Sequence, residues 1–71
     1  MKFRDLIKLL QELGAVQIRQ KGSHRRYRLG KSFTILAPHS MNDAVPEGTL
    51  KKIERDLASE LGTGWLRKYR Q

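Results

Sequence analysis

Residues 21 to 28 read Lys-Gly-Ser-His-Arg-Arg-Tyr-Arg, and they hold the side chains best suited to chemistry. Imidazole has an unperturbed pKa near neutrality, so His24 can take up and return a proton at working pH. Gly22 lets a ligand approach the backbone closely. The amides of the Gly22-Ser23 turn can face a phosphate oxygen, and the Ser23 hydroxyl can donate or accept. Lys21, Arg25, Arg26 and Arg28 can hold a polyanion and offset charge building on a phosphorane. These are the parts needed to make an RNA 2′-hydroxyl attack its own phosphate. That reaction asks for a proton removed, a proton supplied and negative charge stabilised, and it needs neither metal nor cofactor. The commoner role of a single histidine in a basic hairpin is a polar surface or nucleic-acid contact. A row of arginines also serves as a solvated strand face that resists edge pairing.

His39 follows Pro38 beyond the third apolar run. It is a candidate phosphate contact or second acid–base group, although a loop histidine more often caps its own turn. A metal site is not expected. There is no cysteine, the two histidines lack helical ligand spacing, and Asp43 is the close carboxylate. Asp5, Glu12, Glu54, Asp56 and Glu60 read as helix-surface charges. Phe3, Tyr27 and Phe33 read as core rather than as a stacking platform, and Trp65 and Tyr69 as tail residues that pack on a helix or meet a partner.

These residues stand in a chain of 71, enough for one small domain, 1–71, with 59–71 as helix end and C-terminal tail. A domain of this size buries about 60% of the surface that its unfolded chain exposes, so its core is thin. Hydrophobic residues are 38% and charged residues 31%, the composition of a folded protein rather than a disordered one. Lys and Arg number 15 against 7 Asp and Glu, a net charge of +8. Such a field favours polyanions: nucleic acid first, an acidic protein second, an anionic membrane third. The N-terminal run is interrupted by Arg4, Asp5 and Lys8 and has no small-residue cleavage site, so no signal peptide is read. No apolar stretch approaches a membrane span, and a cytoplasmic protein is the default.

The elements that must position the site follow from periodicity. Phe3, Leu6, Ile7, Leu10 and Leu13 predict an amphipathic helix closed by Gly14. Three short strands follow. Val16 and Ile18 are the expected inward set of the first, Tyr27 and Leu29 of the second, and Phe33 and Ile35 of the third. Their connections, Lys21-Gly22-Ser23 and Gly30-Lys31-Ser32, are too short for anything but antiparallel neighbours. After a polar loop, Leu50, Ile53, Leu57 and Leu61 predict a second helix starting near Pro46 or Thr49. The resulting fold class is α+β, in the order α-β-β-β-α, with a three-stranded antiparallel sheet and two helices on one face. The other face is expected to carry Gln17, Arg19, His24, Arg26 and Arg28 with Thr34 and Leu36 in water, subject to any bulge that reverses a strand.

In this setting the chain resembles the HicA-type toxins, also called the YcfA-like family. The resemblance rests on "GSH" at 22–24 after an amphipathic helix, "LIKLLQELG" at 6–14, "PH" at 38–39 and "EGTLKKI" at 47–53. It runs over about residues 3 to 58, and the order and spacing of the motifs are more specific than any one alone. It implies a fold like the double-stranded RNA-binding domain and an mRNA interferase, a ribosome-independent endoribonuclease. It also implies a HicB-type antitoxin that covers the active site. The family's catalytic histidine carries over to His24, with Gly22 and Ser23 as its turn. Arg25 departs from the second histidine or other polar residue that many relatives have there. The stretch from Ala58 to Gln71 runs past the usual ending and carries no transferable motif. Two other functions fit the same charge: a non-catalytic RNA- or DNA-binding module, and an interaction protein whose surface serves an acidic partner.

Overall fold

Two tight turns set the sheet. Strand β1 (Val16–Lys21) pairs antiparallel with β2 (His24–Leu29), and β2 with β3 (Ser32–Leu36), in the order β1-β2-β3. Lys21 faces His24 and Leu29 faces Ser32, so each hairpin has a two-residue loop. Gly22 and Gly30 hold the first loop positions with φ of 60° and 59°. Type II′ hairpin turns put a positive φ there, and glycine adopts it without steric cost. At Gly30 space adds a second demand, since a Cβ would run into the Glu60 carboxylate.

The remaining elements are α1 (Phe3–Glu12), α2 (Glu47–Asp56), α3 (Ala58–Leu61) and a 3₁₀ helix (Trp65–Tyr69), in a computed structural model that describes residues 1–70. Gln71, the last residue of the expected tail, lies outside the described residues. The order α-β-β-β-α and the open antiparallel sheet are as expected. The second helix is shorter than its apolar stripe suggests. It begins after Pro46, with Thr49 inside it, and breaks at Leu57, where φ is −105°. The break re-aims the chain so that Ser59 and Glu60 reach the β2–β3 hairpin: the Lys31 amide donates to Glu60 Oε1 at 2.9 Å, and Ser32 and Ser59 share a hydroxyl hydrogen bond of 2.7 Å.

The core is one cluster beneath the sheet, built from Leu6 and Leu10 of α1, Tyr27, Leu36, Leu50 and Ile53 of α2, Leu57, Trp65 and Leu66. The tail belongs to it: Leu66 is fully buried, and the Trp65 indole N–H donates to the Glu54 carbonyl at 2.9 Å. The 37–46 loop is tied to the N-terminus. The Phe3 and Arg4 amides donate to the carbonyls of Asp43 and Met41, and the Val45 amide to that of Met1.

The faces of β1 and β3 are the reverse of what hydrophobicity suggests. Phe33 and Ile35 are 44% and 43% exposed, whereas Thr34 and Leu36 are buried. The register explains it. With Leu29 opposite Ser32, Phe33 lies opposite Arg28 and Ile35 opposite Arg26, on the outer face. Thr34 is admitted to the interior because its hydroxyl donates to Asp56 Oδ2 at 3.1 Å, a carboxylate that also pairs with Lys52. In β1 the register shifts between Gln17 and Arg19, leaving Ile18 as the extra residue of a β-bulge. Gln17 therefore sits opposite Tyr27 and accepts its phenolic hydrogen bond at 3.2 Å, while Val16 and Ile18 are 56% and 43% exposed. Gln17, Thr34 and Leu36 thus leave the expected outer set, and Val16, Phe33 and Ile35 join it. Arg19, Arg26 and Arg28 keep their outward places.

Candidate nucleic-acid interface

Strand alternation carries His24, Arg26 and Arg28 to one side of β2 and Arg25, Tyr27 and Leu29 to the other. The two-residue turn sets Lys21 directly across from His24, and beyond it Arg19 faces Arg26. Lys21, His24 and Arg26 thereby meet Arg19 and Ile35 around an open cleft of about 250 Å³. His24 is exposed, as are the three cations. The adjoining turn is braced from the inner side: the Gln20 side-chain amide donates to the Gly22 carbonyl at 3.2 Å, and the Gln17 amide to Gln20 Oε1 at 3.3 Å. Gly22 and Ser23 are thus held at the end of the cleft, both exposed.

Not every candidate converges there. Arg28 shares the face but stands farther along β2, opposite Phe33. Arg25 points to the helix side, half-buried, between Gln20 and Leu36. His39 lines a second cleft of about 350 Å³ with Phe3, Asp43, Thr49 and Lys52, and Ile35 is a wall of both clefts. Arg19 was legible as a cation of this face. Phe33 and Ile35 were missed as surface residues. The Arg26 guanidinium lies over the Phe33 ring, 4.9 Å from its centroid. The length of the Gly30-Lys31 loop was the signal that places Phe33 beside the arginines.

Chemically, the face is a cationic shelf with an apolar floor. Strands β1, β2 and β3 contain no Asp or Glu, so nothing on the sheet offsets its positive charge. A polyanion laid on it would meet three cations around one imidazole, with turn amides at the end of the row. Among the described residues no helix is long and apolar enough to cross a membrane.

A family model described as "HicA toxin of bacterial toxin-antitoxin" matches residues 3–62. The match takes in all three strands and the three α-helices and stops short of the 3₁₀ helix. No curated protein and no solved structure matches the chain.

Proposed function

The chain belongs to the HicA toxin family of bacterial toxin–antitoxin systems, and from that premise we propose that it is a metal-independent endoribonuclease that cuts mRNA through His24. The observation that carries this reading is the cleft itself: one exposed imidazole ringed by Arg19, Lys21 and Arg26 at the Gly22-Ser23 turn. A ribose-phosphate strand lying in it would bring a 2′-hydroxyl to His24. The imidazole takes the hydroxyl proton, the 2′-oxygen attacks the adjacent phosphorus, and the bond from phosphorus to the 5′-oxygen breaks. The proton is returned to the departing 5′-oxygen, so the cut leaves a 2′,3′-cyclic phosphate and a 5′-hydroxyl. Lys21, Arg19 and Arg26 offset the charge that builds on the phosphorane oxygens, with turn amides at Gly22 and Ser23 beside them. Arg28 extends the RNA-binding row. His39 contacts the strand from the neighbouring cleft, whereas Arg25, turned to the helix side of the sheet, stands outside this RNA face. The partner in the cell is a HicB-type antitoxin that covers the cleft, and the site of action is the cytoplasm, where mRNA is translated.

The test is incubation of the purified chain with labelled RNA in the presence of a chelator. Cleavage to cyclic-phosphate ends is expected for the native chain. His24→Ala is expected to abolish cleavage and growth arrest and to keep native far-UV circular dichroism, since the residue is exposed. Full cleavage by folded His24→Ala protein would remove His24 from the mechanism. Retention of RNA without cutting would make the chain a non-catalytic RNA-binding module. Salt dependence does not separate the two readings, because both rest on phosphate contacts.

A further inference from the structure

We propose that Phe33, with Arg26 over its ring, is a stacking platform that seats an unpaired base of the RNA strand lying across His24. This rests on the reading of the His24 face as an RNA site. The first support is placement. Phe33 is 44% exposed and stands outside the buried core, on the same face of the sheet as His24. An aromatic ring on an open strand face is the device by which single strands are held, because every base has a π-face and pairing does not hide it. The second support is the guanidinium 4.9 Å from the ring centroid. It makes a planar, cationic pair with the ring, and Arg28 stands directly across the ladder from Phe33. A base can stack on this pair while its phosphates meet the arginines.

The third support is spacing. Arg28, opposite Phe33, lies four residues from His24 on β2, or about 13 Å at ~3.3 Å per residue. A base on Phe33 therefore belongs to a nucleotide near the cut rather than to the one being cut. An acidic protein surface would satisfy the charge of this face and could pack on the ring as well; the imidazole set among the cations is what favours a ribose-phosphate strand. A duplex keeps its bases stacked inside and offers the ring none. The observations thus favour an unpaired strand, and Phe33 is a positioning residue, not a catalytic one.

The experiment uses the full chain and a 2′-O-methyl RNA oligonucleotide, which lacks the nucleophile and stays intact. Affinity is measured against salt for the native chain, Phe33→Ala, Phe33→Leu, Phe33→Trp and Arg26→Gln. Phe33→Ala and Phe33→Leu are expected to weaken binding about tenfold or more without changing the log–log salt slope, since stacking releases no counterions. Phe33→Trp is expected to bind like the native chain and to lose tryptophan emission on binding, a change that buried Trp65 alone does not give. Arg26→Gln is expected to lower the slope by about 0.7.

Native affinity in Phe33→Ala and Phe33→Leu would overturn the platform. So would weakened binding in those variants that comes with a reduced slope. If the same variants instead weakened capture of an acidic antitoxin, the face would belong to a protein. The proposal and the nuclease reading fail separately. Stacking signatures in a chain that never cuts unmodified RNA would keep the platform and retire the nuclease. Cleavage by Phe33→Ala at the native KM would do the reverse.

Discussion

Ile35 and Leu36 are neighbours in the chain and belong to different worlds. Leu36 is fully buried beneath the sheet, whereas Ile35 is 43% exposed and forms the wall between two clefts. The same contrast runs through the whole sheet. On the covered side hydroxyl groups are answered: Tyr27 by Gln17, Thr34 by Asp56 and Ser32 by Ser59. On the open side, apolar side chains and cations stand together, joined by the Arg26–Phe33 contact. A residue kept for stability is packed and hydrogen-bonded, at a benefit that water cannot match. Single exposed apolar side chains are ordinary, but Val16, Ile18, Phe33 and Ile35 are all exposed on this one small sheet. One sheet is thus divided into a packed side and an open, cationic side, and the boundary runs along a single peptide bond.

The division can be broken by substitutions chosen on each side. The largest effect is expected from ending the chain at Gly64, which withdraws Trp65 and Leu66 from the core. At roughly 1.5–3 kcal/mol for each buried side chain, about 3–6 kcal/mol of stability should go. For so small a domain that is most or all of the unfolding free energy, and urea titration followed by far-UV circular dichroism checks it. If the shortened chain melts like the full one, the tail is not part of the covered side. Next comes the neighbouring pair. Leu36→Ala should cost about 2–5 kcal/mol, and Ile35→Ala no more than about 0.5 kcal/mol, by the same titration. Equal losses would abolish the distinction between the faces. Between those two lies Gly30→Ala, expected to cost about 1–2 kcal/mol because φ is 59° there. The Glu60 side chain must also move aside, which threatens its bond to the Lys31 amide. Calorimetric melting reads this, and a native melting temperature would mean that the hairpin relaxes freely.

The sequence carried the element order, the antiparallel sheet, the outward side of β2 and therefore the exposure of His24. It also carried the inward side of β3, but in a place where hydrophobicity drowned it out. Phe and Ile are better strand formers and better core residues than Ser and Thr, so alternation in Ser32–Leu36 favours the wrong set. A two-residue loop fixes Leu29 against Ser32 and overrules that preference. The reversal in β1 was not legible in the same way. Counting back from Lys21 opposite His24 would bring Ile18 to Tyr27, and only the bulge substitutes Gln17. No residue type announces that extra position. The exposure of Phe33 was hidden by the same error of face, and the second cleft by the tertiary tie between the 37–46 loop and Met1 to Arg4.

The bulge at Ile18 also divides β1 into two registers. Between it and the Gly22-Ser23 turn, Lys21 and Arg19 stand opposite His24 and Arg26, in the register set by the two-residue turn. Upstream of it Val16 stands opposite Arg28, and Gln17 stands opposite Tyr27 and accepts its hydroxyl hydrogen bond. The one added residue lets Gln17 face in toward Tyr27 while Arg19 and Lys21 face out beside the imidazole.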